Sequence, residues 1–372
     1  MNQEPDNEQS DGRSRARLRL ALIAGEDTFL YYKPYLNRLL LGLGDESVSV
    51  VLVCPPEVNV ESIMFGNPEV IRYPVLPFSF LAHYDLKILT EQLLKFKPYV
   101  LHCLSDKLAA LARHLSKRLN VPYVLTINSL QKRMSYVSVS SKRLASIIVP
   151  CESIAQNVSE HYPGFSERIR LIKIGTFVTN SALCFSRPER VASIITSSGF
   201  QERADLTMLF AALKHLAVED YEFVIAVITG DDSEGQLRKM ISSLGLSQIV
   251  IIVPKLAPWR ELLTAADIFV NPSVDSHFNI SVLEAMSIGA GVVGCKGGVD
   301  DLIIKGETAF VFEQTDEFGI YNCLKEVLNS REKTKKIAQQ AQKFISRNFT
   351  VSGMVEETLK CYDDAVSWYK KD

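Results

Sequence analysis

No stretch of this chain reaches the roughly 18 uninterrupted apolar residues that a membrane-spanning helix needs. Its seven cysteines (Cys54, Cys103, Cys151, Cys184, Cys295, Cys323 and Cys361) are odd in number and scattered singly. No CxxC pair or Cys/His cluster has metal-ligand spacing, which excludes a zinc ribbon and argues against a disulfide framework. Several lie in apolar runs such as Val51-Leu52-Val53-Cys54, where a thiol behaves as a small hydrophobe. That usage points to a reducing, cytoplasmic location. Charge of one sign is also lacking: 41 Lys and Arg against 43 Asp and Glu leave a net charge of −2, which disfavours nucleic acid as the main partner. Residues 1–17 lack the apolar core of a secretory signal and are expected to form a disordered tail.

What remains is ordinary globular material, 47% hydrophobic and 23% charged. Its 372 residues exceed the roughly 250–300 at which single cores stop growing, so two domains are expected. The charge is unevenly spread. Residues 101–150 hold eight Lys and Arg (Lys107, Arg113, Lys117, Arg118, Lys132, Arg133, Lys142 and Arg143) against one acid, Asp106. A solvated basic face is the plain reading. The alternatives are an anionic acceptor or a peripheral contact with the inner face of a membrane.

Short apolar runs alternate with longer amphipathic ones, which predicts βαβ units around parallel sheets. Strands are expected at Leu18–Ala24, Val48–Cys54, Pro98–Cys103, Pro122–Ile127 and Ser146–Pro150. The pattern restarts at Ala192–Ser197, Tyr221–Thr229, Gln248–Val253, Ala266–Val270 and Gly291–Cys295. Between the halves, Gly175 to Val191 has no clear period and reads as a linker. The expected organisation is an N-terminal Rossmann-like lobe (18–175), a linker (176–191), a C-terminal Rossmann-like lobe (192–345) and a C-terminal helix (346–372) strapping the lobes. In that helix Val355, Leu359, Tyr362, Val366 and Tyr369 form an apolar stripe. Open parallel sheets bind ligands beyond the carboxyl ends of their strands, so both lobes can feed one cleft.

The run Asp267 to Asp301, DIFVNPSVDSHFNISVLEAMSIGAGVVGCKGGVDD, carries the chemistry. A buried strand ends at Asn271-Pro272-Ser273, a polar loop follows, and a helix is expected to begin near Ser281. A helix N-terminus aimed at such a loop suits an anion such as pyrophosphate. Glu284 is expected in or near the first turn, where a carboxylate can accept hydrogen bonds from a ribose diol. Gly289 should end the helix, and Lys296-Gly297-Gly298 allows a ligand close to the backbone. A further helix is expected to open at Val299-Asp300.

This run resembles the donor-site signature of family-four GT-B glycosyltransferases, in which a Pro-Ser loop, a Glu-x7-Glu pair and Glu-Ala-Met precede a Gly-Gly loop. Phe96 to His102, Ile172-Lys173-Ile174-Gly175 and Gly306 to Val311 echo the family elsewhere, so the resemblance spans about residues 18–370. It implies an α/β GT-B fold of two Rossmann-like lobes with a cleft between them. Glu284 would hold the donor ribose, and the backbone around Phe278, Asn279 and Ile280 would cradle the diphosphate. Gly199 and Arg203 would lie at the phosphates, and Lys255 and Leu256 against the base. Gly25, Glu26 and His102 would face the acceptor.

The pattern is also broken. Ser276 stands where the first Glu of the pair belongs, His277 and Asn279 replace glycines, Phe200 replaces an Arg, and Asn128 replaces a first-lobe His. The catalytic positions are therefore Ser276, His277 and Asn128, with His277 offering a donor to a phosphate oxygen. The leading reading is a retaining glycosyltransferase moving a sugar from a nucleotide-diphosphate sugar to a carbohydrate or lipid-linked hydroxyl acceptor. No cofactor or metal is expected, because no Asp-x-Asp is placed to bridge phosphates; Asp231-Asp232 reads as a turn. The alternatives are a catalytically degenerate GT-B protein that binds nucleotide or assembles with an active enzyme, and a nucleotide-sugar epimerase.

Overall fold

Runs rich in Val, Ile and Leu become central parallel strands because both faces of such a sheet are covered by helices. The computed structural model describes residues 18–370 apart from 62, 64–67, 74–81, 132–136, 198–202, 230–233, 255–258 and 314–315. In the first lobe the strands are β1 (Arg19–Ile23), β2 (Ser49–Cys54), β3 (Glu69–Arg72), β4 (Val100–Cys103), β5 (Tyr123–Thr126), β6 (Leu144–Val149) and β7 (Ile169–Leu171). Its helices are α1 (Glu26–Tyr31), α2 (Lys33–Asp45), α3 (Ala82–Phe96), α4 (Ala109–Leu119) and α5 (Glu152–His161). The second lobe has β8 (Ala192–Ser197), β9 (Phe223–Thr229), β10 (Val250–Pro254), β11 (Ile268–Asn271), β12 (Gly291–Cys295) and β13 (Phe310–Phe312). Its helices are α6 (Arg203–Val218), α7 (Glu234–Ser243), α8 (Trp259–Leu263), α9 (Ile280–Ser287) and α10 (Glu317–Asn329), followed by α11 (Arg331–Asn348) and α12 (Val351–Tyr369).

Both sheets are parallel throughout. Their strand orders are β3-β2-β1-β4-β5-β6-β7 and β10-β9-β8-β11-β12-β13. Each reverses direction of growth once, between β1 and β4 and between β8 and β11, and these switch points open a crevice beyond the strand carboxyl ends. The two-lobed α/β architecture expected from the sequence is therefore present.

The chain crosses between lobes twice, at the linker and at Phe349–Thr350. The crossings touch: the Thr176 amide donates to the Phe349 carbonyl at 2.8 Å. A Cβ on Gly175 would stand 2.5 Å from the Val351 Cα, so the close passage depends on glycine. Helix α11 packs on α9, and α12 returns to lie on α2, β4, β5 and β6. The C-terminal strap thus starts on one lobe and ends on the other. The buried face of α12 is Met354, Val355, Thr358, Cys361, Tyr362 and Ala365, shifted from the expected stripe so that Leu359 and Val366 are only half-buried. All seven cysteines are free and all but Cys323 are buried; burial pushes the Cys103 and Cys184 thiols up to about 12. Among the described residues, no helix is long and apolar enough to cross a membrane.

Candidate functional site in the interlobe cleft

The Pro-Ser loop is built from its own polar side chains. Asn271, at the end of β11, donates from Nδ2 to Asp275 Oδ2 at 2.7 Å, and Asn279 Nδ2 donates to the same oxygen at 2.9 Å. The Asp275 carbonyl accepts from the Val299 amide at 2.7 Å, and a Cβ on Gly298 would lie 2.1 Å from that carbonyl oxygen. Gly298 also has φ +64°, in the region that favours glycine. Asp275 is only 6% exposed, and its carboxylate holds the loop together. Asn279 caps α9, accepting from the Val282 amide at 3.2 Å, so the helix opens one residue earlier than expected. Gly289 follows it with φ +71°, as a helix stop should. No helix opens at Val299-Asp300; the chain there makes a turn.

Loops of the two lobes meet edge to edge. Ser129 and His277 form an antiparallel bridge, the Leu130 amide donates to the Ser276 carbonyl, and the Phe278 amide to the Asn128 carbonyl, both at 2.8 Å. The Tyr32 hydroxyl donates toward the same junction, 3.2 Å from the Phe278 carbonyl and 3.3 Å from that of Asn128. Burial holds its phenol well above the ordinary range, with Asp27 and Asp275 adding to the effect. Ser276 Oγ lies 2.9 Å from His277 Nδ1. The structure thus brings Ser276, His277 and Asn128 together and joins them through main-chain groups. Nearby, Ser153 of α5 donates through amide and hydroxyl to the Asp301 carboxylate, a second contact across the cleft.

Glu284 departs most from expectation. It is the fifth residue of α9, in the second turn, and is fully buried. Its carboxylate turns toward the linker and α2. Arg38 of α2 reaches one oxygen at 2.7 Å and the other at 2.8 Å. The Thr176 hydroxyl donates at 2.8 Å, and Arg260 of α8 closes the cluster with a further ion pair. Arg38 also donates to the Gly175 carbonyl at 3.1 Å, and Arg260 donates to the Phe177 carbonyl. Burial lowers Arg38 to about 10, and burial with the neighbouring Arg38 charge lowers Arg260 to about 10. Both stay protonated at neutral pH, so two guanidiniums face one carboxylate. A ribose diol can reach Glu284 only by displacing one of them. Nothing in the spacing of the sequence singles out Arg38 or Arg260, because their pairing is set by tertiary approach of α2 and α8.

Other expected positions fare differently. His102 does not reach the cleft: it is buried on β4, with Nδ1 2.6 Å from the Tyr362 hydroxyl and Nε2 2.7 Å from Thr126 Oγ1. Burial lowers it to about 3, so it is a neutral core histidine whose ring nitrogens are satisfied by two hydroxyls. Gly25 stands at the carboxyl end of β1 as the cap of α1, and Glu26 is exposed in the first turn. Asp27 accepts from the Ser105 hydroxyl at 2.7 Å, which ties the loops after β1 and β4 together. Gly199, Phe200, Asp231, Asp232, Lys255 and Leu256 lie outside the described residues, and Arg203 is placed only as the first residue of α6. Among the described residues, no group of three or more His, Cys, Asp or Glu side chains is arranged to hold a metal ion.

The sequence did not anticipate a set of unsatisfied groups. Buried Thr196 Oγ1, Ser273 Oγ and Asn128 Oδ1, together with Asn37 Oδ1 on α2, have no hydrogen-bond partner among the described residues. Thr196 is near the carboxyl end of β8 and Ser273 just past that of β11, the two strands that flank the switch point of the second lobe. Asn128 follows β5 on the facing lobe. Native structures rarely leave such atoms orphaned without a reason.

A family model described as glycosyl transferases group 1 matches residues 186–344, the second lobe almost in full. The sulfoquinovosyl transferase SQD2 of Arabidopsis thaliana is 24% identical over 362 residues, covering 87% of this chain and 69% of that protein. The N-acetyl-alpha-D-glucosaminyl L-malate synthase of Bacillus anthracis is 23% identical over 142 residues, 38% of this chain and 37% of its own length. The chain therefore spans between about a third and two thirds of these relatives. Among solved structures, a glycosyltransferase of Rickettsia africae superposes with a TM-score of 0.78 at 15% identity, covering 95% of this chain and 99% of the other. HepE of Anabaena in complex with UDP-glucose gives a TM-score of 0.78 at 15% identity, covering 92% and 99%. The second lobe thus resembles the group 1 glycosyl transferases, and the chain as a whole has the two-lobed fold of these solved glycosyltransferases.

Proposed function

We propose that this protein transfers a glycosyl group from a nucleotide-diphosphate sugar to a hydroxyl of a carbohydrate or lipid-linked acceptor, with retention of configuration and without a metal ion. The carrying observation is that, of the buried polar atoms without a partner among the described residues, those on Thr196, Ser273 and Asn128 are set at the crevice where open α/β sheets bind ligands. A donor there would satisfy them. The likeness to HepE, solved with UDP-glucose, makes UDP-glucose the first donor to try. In the transfer, the bond from the sugar C1 to the diphosphate oxygen breaks and its electron pair stays on the diphosphate. The acceptor oxygen bonds to C1 from the same face and its proton passes to the departing oxygen. Charge building on the diphosphate favours the N-terminal end of α9, where the dipole is positive. The two-guanidinium, one-carboxylate cluster adds a net positive charge behind it. In this reading Glu284 meets the ribose only when Arg260, whose side chain is 29% exposed, turns outward.

A second reading has its own observation. The bridge between 128–130 and 276–278 fastens the lobes at the catalytic positions, which suits a GT-B protein that binds nucleotide or assembles with an active enzyme. Thermal melting against UDP, GDP, ADP, TDP and CMP and their sugars, with and without EDTA, separates the two. A ligand at a hundred times its Kd adds about 2.7 kcal/mol. Stabilisation by one diphosphate series, indifferent to EDTA and followed by transfer of the sugar to an acceptor, is expected. Stabilisation without turnover, or no shift at all, supports the second reading.

A further inference from the structure

We infer that the end of the first lobe farthest from the cleft is a docking surface for a membrane bearing anionic lipid. The basic stretch noted in the sequence is gathered there by the fold. Arg113 and Lys117, and beside them His114 and Arg118, are pairs four residues apart on α4 and so stack on one helix face. Ala112, Leu115 and Ser116 turn the opposite face into the core. Lys142 and Arg143, just ahead of β6, complete the lining of an open cavity of about 780 Å³ together with residues 139–141. Among the described residues, no acid lines it.

Among the described residues, the charge is held in place without a carboxylate partner. Arg143 is half-buried, and its partners there are all neutral: the Ser116 carbonyl and Asn120 Oδ1 at 3.3 Å, and the Tyr369 hydroxyl. Arg168, alongside, donates to the carbonyls of Ser141 and Leu144. Several surface cations elsewhere do sit beside carboxylates, as in Arg238–Glu234, Lys325–Glu219 and Lys360–Glu356. Two aromatic rings at the end of α12 border the patch. The Arg168 guanidinium lies 5.0 Å from the Trp368 ring centre and that of Arg143 5.6 Å from Tyr369. Trp and Tyr interleaved with Arg and Lys are the composition of a membrane interface.

Position decides against the anionic-acceptor alternative. The lobe's strands end at the cleft, whereas Arg143 immediately precedes β6 and α4 ends ahead of β5. At about 3.3 Å per residue the six-residue β6 separates the patch from the cleft by roughly 20 Å. No group bound there touches the reacting positions. The rest of the surface carries the balancing acids, since the whole chain has a net charge of −2, so attraction would orient the protein with this end down.

Cosedimentation of the full chain with phosphatidylcholine vesicles, and with vesicles containing phosphatidylglycerol, tests this against the charge-reversed variant Lys117→Glu/Arg118→Glu/Lys142→Glu. Binding to the anionic vesicles only is expected, lost between about 50 and 500 mM salt. The variant should partition on the order of a hundredfold less, with melting temperature and any nucleotide-induced shift unchanged. No binding to anionic vesicles at low salt, or equal binding by the variant, overturns the proposal. So does tighter binding to soluble heparin than to vesicles, which would mark a polyanion site.

Discussion

Replacing Glu284 by alanine tests whether the carboxylate is a structural keystone or a free ligand group. The substitution removes the only acid among the described partners of Arg38 and Arg260, and leaves the Arg38 guanidinium, 7% exposed, with the Gly175 carbonyl. Breaking a buried pair from one side costs about 3–5 kcal/mol, because the remaining charge stays desolvated. At roughly 2–4 °C per kcal/mol for a sizeable domain, the melting temperature should fall by on the order of 10 °C. Arg260→Ala should cost only about 1 kcal/mol, since that side chain is partly exposed and Arg38 with Thr176 still holds the carboxylate. Arg38→Met/Glu284→Leu should recover most of the about 3–5 kcal/mol lost in Glu284→Ala, since apolar replacement of a buried pair is often neutral relative to the intact pair. Urea unfolding and thermal melts of the three variants read these differences directly. If Glu284→Ala melts with the parent yet abolishes nucleotide stabilisation, the cluster does not hold the lobes and the reasoning fails.

Three further substitutions probe the frame around the cleft. His102 is protonated on unfolding below its ordinary value but stays neutral when folded down to about 3; its folded pKa is depressed, so the stability it permits is present above about 6.5 and drains away as pH falls toward 3. Denaturant midpoints between pH 6 and 4 should lose about 1 kcal/mol per pH unit from this residue, and His102→Gln should flatten that slope even if less stable at neutral pH; an unchanged slope refutes the assignment. Gly298→Ala forces a Cβ to 2.1 Å from the Asp275 carbonyl at φ +64° and should cost about 2 kcal/mol or more, whereas Gly306→Ala, at φ +74° with nothing within 4 Å, should cost only about 1 kcal/mol; equal urea midpoints for the two would show that the loop yields.

The strands most legible in the sequence were those buried on both faces. Ala192–Ser197 and Gly291–Cys295 coincide with β8 and β12, because continuous β-branched and small apolar runs admit few other fates. The edge strands β3, β7 and β13, at three or four residues each, carry too little pattern to stand out. The short helix α1 and its neighbour α2 went unread for a different reason. Their role is to bring Tyr32 and Arg38 to the other lobe, and no local period encodes that. The same limit governs the site. Asn271, Ser273, Asn279 and Gly298 lie within one 35-residue run whose order announces a ligand loop. Arg38, Thr176 and Arg260 come from three distant segments, converging on Glu284 only once both lobes are folded.

That convergence bears on the broken motif. With an acid at 276 and glycines at 277 and 279, the loop would present a carboxylate and bare backbone to the cleft. With Ser276, His277 and Asn279, it makes an interlobe bridge instead, and Asn279 fastens Asp275 and caps α9. Asn128, standing where a histidine was expected, contributes its carbonyl to the same bridge. Residues 128–130 and 276–278 are therefore joined through main-chain contacts, which a donor entering between them would share or part. Opening this seam is then a step in the cycle of an active enzyme and a standing barrier in a silent one. Because the bridge consists of a few hydrogen bonds between buried and half-buried residues, each worth about 1 kcal/mol net, a nucleotide bound at micromolar Kd (about 8 kcal/mol) has enough affinity to open it. The energetics leave the cleft accessible, and the orphaned atoms of Thr196, Ser273 and Asn128 give a ligand reason to enter it.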